Sequence, residues 1–282
     1  MQRLFKIVNK SFVYILLTSI LFISLFPIIY IILASFKSNA EILTSGANII
    51  PEKFIFDNYV QAWNLADFKK FTWNSVYMAF FIVIGTIITT TTLAYVLDRG
   101  VFVGKKLIYG LMLSTMFISL GTSSLLPQLQ IAKVFGMHTS LWGVIMIRVM
   151  GINVTQVFVA KGFLATIPKE IDEAAKIDGC GFIRIYWNII FPLLKPLIAT
   201  IGLLSFRQAW NDYMLPMVFT MANPEKTPLV VGVVNLRNTG EAASSWNLML
   251  AGTTIAVLPM MTVYLMLNRY FISGLTSGAV KG

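Results

Sequence analysis

Four stretches of this chain each run for more than twenty residues without a charged side chain, at 11–36, 71–97, 107–132 and 242–268. A bilayer core about 30 Å thick is crossed by roughly 20 apolar residues in a helix, where each backbone N–H and C=O finds its partner inside the segment. Two further apolar stretches, 141–160 and 197–220, qualify by length but carry Arg148 in the first and Arg207 and Asp212 in the second. The fold class is therefore all-α integral membrane. The pattern predicts six transmembrane helices at about 11–36, 71–97, 107–132, 141–160, 197–220 and 246–268, forming a single domain over 1–282 with a long cytoplasmic loop at 161–195. Pro27, Pro127, Pro216 and Pro259 fall inside or at the ends of these spans. Neighbouring helices can satisfy the carbonyls that such prolines free, which makes kinked packing their expected role.

Composition agrees. With 57% hydrophobic and 12% charged residues, the chain is too apolar to be a soluble protein of 282 residues. Its net charge of +10 by itself fits nucleic acid or an anionic membrane surface. The cations decide between these: most flank the apolar runs, which fits membrane lipid as a partner and not nucleic acid. Of the 22 Lys and Arg residues, two lie inside spans, thirteen fall on the side of the amino terminus and seven on the other, which predicts both termini in the cytoplasm. The first run exceeds the 7–15 residues usual for the apolar part of a secretory signal, so it reads as a retained span. Cys180 and His138 are the single residues of their kinds, so neither a disulfide framework nor a metal site is expected.

Long loops are expected outside the membrane at about 37–70 and 221–245, and loops of this length in a compact protein are usually functional. On the cytoplasmic side, 166–196 reads as two short helices. Pro168 suits a helix start, and Glu170, Asp172 and Glu173 put negative charge near its amino end. Asp172 and Lys176 stand four apart in the favourable order, and Ile171, Ala174 and Ala175 form a small apolar patch. Gly179 can take positive φ cheaply and so reverse the chain. A second helix follows, with Phe182, Ile185, Tyr186 and Ile189 at i, i+3, i+4 and i+7, ending at Pro192 and Pro196. Spacing alone fits equally well a pair of amphipathic helices lying on the inner membrane face.

The residues themselves add a further signal. Glu173-Ala174-Ala175, then Gly179, Ile189 and Phe191-Pro192 closely resemble the EAA signature of binding-protein-dependent ABC importer permeases, departing only at Phe191 where that family usually has Leu. The resemblance extends along nearly the whole chain and is closest to carbohydrate permeases of the maltose and multiple-sugar type. It is carried also by Phe56-Asp57-Asn58-Tyr59, Asn74-Ser75, Trp210-Asn211-Asp212-Tyr213 with Pro216, Pro228-Leu229 with Gly232, and the carboxyl-terminal Gly274-Leu275-Thr276 and 278–282.

This resemblance implies a cytoplasmic helix-turn-helix coupling element seated in a cleft of an ATPase subunit. Glu173 would face a basic residue there, Ala174 and Ala175 would allow close approach, and Asp178, Gly179, Ile189 and Pro192 would complete the motif. It also implies a second homologous permease subunit, two ATPase subunits and an extracytoplasmic solute-binding protein that delivers a sugar or oligosaccharide. The place would be a bacterial or archaeal cytoplasmic membrane. The chain has no G-x-x-x-x-G-K-[ST] match, so no catalytic residue and no bound cofactor is expected on it; ATP and Mg would belong to the ATPase subunits. A polyol or glycerol phosphate as cargo, or an ATP-independent carrier or channel, are the rival readings, and the last has no account of the coupling motif.

The membrane charges mark a candidate pathway. Arg207 lies about ten residues into the fifth span, near mid-bilayer at about 1.5 Å per residue, and facing lipid there costs at least about 2.5–3.5 kcal/mol. It should face protein or water, with Trp210 and Asn211 on its helix face and Gln208 sharing a face with Asp212. These residues either present partners to a sugar or pack the two permeases together. Arg148 falls at a depth where pairing with Asp212 is possible, and Asn153 and Gln156 lie further along the same helix.

Overall fold

The computed structural model describes residues 2–44, 48–65, 67–118, 120–236 and 245–279, with side chains described from Lys10 to Leu267 within those bounds. All regular structure among the described residues is helical. The order is α1 (Gln2–Ala34), α2 (Asn39–Thr44), α3 (Asp57–Leu65), α4 (Phe68–Arg99), α5 (Lys105–Thr115), α6 (Leu125–Val134), α7 (Leu141–Met150) and α8 (Val154–Leu164). There follow α9 (Glu170–Ile177), α10 (Phe182–Ile185), α11 (Phe191–Leu193), α12 (Lys195–Trp210), α13 (Met214–Thr220), α14 (Leu229–Leu236) and α15 (Trp246–Ala279). Three helical stretches, Lys10–Ala34, Phe68–Arg99 and Trp246–Leu267, are long and apolar enough to cross a bilayer unaided; two bent pairs raise that number to five among the described residues.

By its internal contacts the chain divides into two compact units, 1–68 with 232–258 and 69–231 with 259–282. In the first, α1 leaves its apolar side chains uncovered from Phe12 to Ile29. The loop that follows is a folded scaffold. Phe36 meets the rings of Phe54, Phe56 and Tyr59 at centroid distances of 5.6, 5.1 and 5.1 Å. Buried Asn58 donates from Nδ2 to the carbonyls of Ser35 (2.8 Å) and Lys37 (2.9 Å), and its Oδ1 accepts from Asn247 (2.8 Å). Lys37 is itself buried, with Nζ donating to the Asn48 carbonyl at 2.6 Å and lying 3.5 Å from a Glu41 carboxylate oxygen. A buried amide and ammonium are tolerable because each is hydrogen-bonded.

In the second unit, the core joins Ala94, Tyr95 and Leu97 of α4 to Val157, Ala160 and Leu164 of α8. It continues through Ala175, Ile185, Tyr186, Ile190 and Leu194 to Leu197 and Ile201 of α12. Three apolar runs that read as continuous are broken here. In 107–132, α5 stops at Thr115, where the Ser114 and Thr115 hydroxyls bond back to the Leu111 and Met112 carbonyls at 2.7 Å, and Gly121 takes φ +52° before α6 begins. α7 and α8 meet at a 48° bend around Gly151–Asn153. The run 197–220 opens at Asn211–Tyr213, and Pro216 accounts for the place: it has no N–H for the Asp212 carbonyl four residues back and its ring crowds that carbonyl.

The α7/α8 and α12/α13 breaks are joined. Arg148, in the last turn of α7, reaches Asp212 at the other break, with Nε and one terminal nitrogen 2.7 and 2.6 Å from the same Oδ2. The side chain of Asp212 is only 6% exposed. Non-helical backbone at membrane depth survives only where protein or a water-filled cavity encloses it, and the ion pair holds the two breaks against each other.

Of the loop expected outside the membrane at 221–245, residues 221–236 are largely structured. Asn74 donates to the carbonyls of Glu225 and Thr227 (2.9 and 3.0 Å), and Ser75 accepts from the Leu229 N–H (2.8 Å), pinning the start of α14 to the start of α4. Residues 237–244 of that loop lie outside the described residues.

Two predictions follow from this packing. A Cβ on Gly143 would sit 2.3 Å from the Met137 carbonyl oxygen and 2.6 Å from Phe219, whereas one on Gly162 meets nothing within 4 Å. Gly143→Ala should cost about 1–3 kcal/mol through overpacking and lower the melting temperature of the detergent-solubilised chain, while Gly162→Ala leaves it in place; equal shifts would contradict the close approach. Removing either member of the part-buried Arg148–Asp212 pair should cost about 1–3 kcal/mol, and a double-mutant cycle on unfolding should be strongly non-additive. Additive effects of Arg148→Ala and Asp212→Ala would mean that the pair carries no coupling.

Candidate functional site

The segment 166–196, expected on the cytoplasmic side, folds as a helix-turn-helix. α9 starts at Glu170, two residues after Pro168, with Glu170, Asp172 and Glu173 in its first turn and Lys176 in its last, each favourable to the helix dipole. Its end is a Schellman motif. Gly179 N–H bonds the Lys176 carbonyl (3.0 Å), Cys180 N–H bonds the Ala175 carbonyl (2.9 Å), and Gly179 has φ +78°. A Cβ at Gly179 would meet nothing within 4 Å, so the requirement for glycine there is one of backbone and not of space.

The helix sorts its residues sharply. Ala175 and Asp172 are buried, while Glu173, Ala174, Lys176, Ile177 and Asp178 are exposed, with Ile177 87% accessible. The apolar patch expected from Ile171, Ala174 and Ala175 therefore splits: Ala175 enters the core and Ala174 stays on the surface beside Glu173. Asp172 turns inward to Arg99 of α4, whose Nε lies 3.1 Å from its Oδ2, a close ion pair without hydrogen-bond alignment. The spacing to Lys176 had pointed outward. A long-range partner seventy-three positions away leaves no local trace in sequence periodicity.

The second arm differs from a regular α-helix. α10 gives way at Tyr186–Ile190 to a π-type turn, then to α11 with Pro192 in its first turn. The wider turn shifts the buried face by one residue: Ile185, Tyr186 and Ile190 are buried, Phe182 is exposed, and Ile189 is half-buried against the core. The expected i+7 position at Ile189 thus moves to Ile190. An 80° bend at Leu194 leads into α12.

A polar cavity of about 470 Å³ lies between the start of α8 and the end of α12. Leu204, Arg207, Gln208 and Asn211 line it from α12 at i, i+3, i+4 and i+7, and Asn153, Thr155 and Gln156 line it from α8. Asn211 donates to the Arg207 carbonyl at 3.0 Å, while Asn153 caps α8 by accepting from the Gln156 N–H at 3.2 Å. Gln156 Oε1 accepts from Ser205 at 3.4 Å. Four of the six candidate pathway residues, Asn153, Gln156, Arg207 and Asn211, are thus brought together. Two are not. Trp210 is 2% exposed and stacks at 5.4 Å on Phe206 beside an apolar groove formed with α4, because the cavity face is centred on the Gln208 and Asn211 side of Arg207 and Trp210 lies on the other side. Asp212 is committed to Arg148.

Among the described residues no group of His, Cys, Asp and Glu is arranged to hold a metal ion. The arrangement presents an exposed, mostly acidic helical edge on one side and a hydrogen-bonding, cationic cavity at the helix breaks on the other. Neither holds a paired acid and base for chemistry.

Comparison with known proteins supplies the family. The model of the binding-protein-dependent transport system inner membrane component matches residues 4–277. The galactooligosaccharides transport system permease protein GanQ of Bacillus subtilis strain 168 is 31% identical over 280 residues, 98% of this chain and 97% of that one. The melibiose/raffinose/stachyose import permease protein MelC of the same organism is 35% identical over 257 residues, 91% of each chain. Among solved structures, a chain of a bacterial ABC transporter involved in the import of the acidic polysaccharide alginate superposes with a TM-score of 0.79 at 26% identity, over 95% of this chain and 97% of that chain. With a family match over almost its whole length and a helical, membrane-dimensioned fold, this chain belongs to the inner-membrane components of binding-protein-dependent transport systems.

Proposed function

We propose that this chain is the permease subunit of an ATP-driven importer for a sugar or oligosaccharide, crossing the membrane six times with both termini in the cytoplasm. A second permease completes the pathway, one of two ATPase subunits docks on 161–195, and a solute-binding protein delivers the cargo on the opposite face. The observation that carries this reading is the helix-turn-helix itself. Its Glu173, Ala174, Lys176 and Ile177 on α9 and Asp178 just after it lie uncovered, while the opposite side of the same helix is buried in the core. An amphipathic helix lying on lipid would offer the bilayer a broad apolar face with basic flanks, whereas this edge sets Glu170, Glu173 and Asp178 around Ala174 and Ile177, with Lys176 among them. It suits a protein cleft with a basic residue opposite Glu173. Saccharide cargo is supported by the names of relatives at 31% and 35% identity, against 27% for a relative named for sn-glycerol-3-phosphate transport. An ATP-independent carrier leaves the exposed acidic edge without a purpose.

The polar cavity is the saccharide's route past this subunit. Amides and a guanidinium are the groups that exchange hydrogen bonds with sugar hydroxyls, and Arg207 at that depth is tolerable because the cavity keeps it hydrated.

Two measurements test these assignments in vesicles containing all the subunits. Glu173→Lys should lose ATPase docking and uptake, and a charge reversal in the ATPase cleft should restore both. Gly179→Val should lose coupling through backbone strain of about 1–3 kcal/mol and should not respond to that reversal. Wild-type coupling in both variants would sink the docking role of 161–195. For the cavity, Arg207→Ala should change the order of preference among transported oligosaccharides, whereas Thr220→Ala, buried and bonded to the Pro216 carbonyl, should not. An unchanged order would remove Arg207 from the route.

A further inference from the structure

Behind the exposed edge of α9, one face of α4 grips the whole cytoplasmic element. Thr91, Tyr95 and Arg99 stand at i, i+4 and i+8 on that face. Arg99, its side chain 6% exposed, lies 3.1 Å from Asp172 and 3.1 Å from Asp98, and donates to the carbonyls of Ile167 (2.6 Å) and Leu164 (3.4 Å). One guanidinium therefore holds both the end of α8 and the start of α9. Tyr95 donates to Asp172 at 3.3 Å and packs its ring on Phe182 and Tyr186 at 4.6 and 5.1 Å. Thr91 shares a 2.8 Å hydrogen bond with the Tyr186 hydroxyl, which also accepts from Thr92 at 3.1 Å.

Apolar packing alone would let α9 and α10 slide or rotate on α4. The Arg99 guanidinium bonds directionally to the Ile167 and Leu164 carbonyls, Tyr95 bonds Asp172, and the Arg99–Asp172 charge attraction holds α9 against α4, so that rotation as well as separation is resisted. Such a buried cluster adds little net stability over an apolar one of the same volume, so its use lies in geometry. α4 is also suited to carry displacement. It is one continuous helix from Phe68 to Arg99 without an internal proline, whereas α5, α8 and α12 all end or bend within the membrane-depth runs.

We propose that Arg99, Asp172 and Tyr95 form a rigid link that makes the cytoplasmic helix pair and α4 move as one body. Displacement of α9 by the ATPase subunits is thereby delivered through the bilayer along α4. These are positioning residues: they touch neither cargo nor nucleotide. The inference rests on the ATPase-docking reading of 161–195, and its test separates the two.

The complex, isolated with its own ATPase, partner permease and solute-binding protein, is reconstituted with Arg99→Lys, Asp172→Asn or Tyr95→Phe. Arg99→Lys and Asp172→Asn should keep the subunit stoichiometry and basal ATP hydrolysis, and should lower cargo-stimulated hydrolysis and uptake about tenfold. Tyr95→Phe, which keeps the ring and loses one hydrogen bond, should lower them less. Should the single variants fail to assemble, the paired Arg99→Met/Asp172→Leu variant removes both charges at similar volume and should assemble with the same loss of stimulation. Assembled complexes with a wild-type ratio of stimulated to basal hydrolysis would overturn the link, as would loss of assembly in the paired variant, which would make the cluster purely structural. Glu173→Lys run in parallel reports on the docking reading. If it releases the ATPase while Asp172→Asn couples normally, the link alone fails; if it leaves the ATPase bound and coupled, the docking reading fails with it.

Discussion

Hydrocarbon offers a backbone nothing to bond with, and the form of this molecule follows from how each helix break meets that constraint. Where α7 passes into α8 and α12 into α13, several peptide groups leave the helical ladder at membrane depth. The structure brings the two breaks together and crosses them with Arg148 and Asp212. Each charge is affordable only because of the other. Once the breaks are paired, the start of α8 and the end of α12 face each other, and the polar cavity is the space between them. The cavity is thus a consequence of the same chain geometry that makes the ion pair necessary.

A similar economy governs the helix-turn-helix. α9 is only eight residues long and by itself would not persist in water, since helices this short nucleate poorly. It is held by tertiary contacts on one face: Ala175 in the core, Asp172 on Arg99, and a Schellman turn that returns the chain toward α4. That leaves the other face free of structural duty. The exposed acidic edge can therefore be shaped by a partner's requirements without disturbing the fold. The π-type turn at Tyr186–Ile190 belongs to this arrangement, since it brings Tyr186 under Tyr95 and Ile190 into the core within one short arm.

Much of this was legible in the residues. Charge-free length marks the membrane helices, because the bilayer's thickness and dryness act on each segment independently of the others. The turn at Gly179 and the polar ends of α9 were legible for a related reason: caps and dipoles act within a few residues. Where several distant segments have to agree, periodicity misled. Trp210 reads as a neighbour of Arg207 but faces the core, and Ile189 reads as a seam position but yields it to Ile190. The apolar run 107–132 reads as one helix but is divided near Gly121.

What the sequence by itself determined is a helical membrane protein with a short helix pair turned at Gly179, since hydrophobic length and turn glycines are local or one-dimensional quantities. Only the tertiary structure decided which charges belong together. Asp172 had a plausible partner four residues away in Lys176 and took Arg99 instead, because the burial of α9 against α4 left that carboxylate where no water could reach it. The energy of a buried charge depends on everything around it, and that environment exists only once the chain has folded.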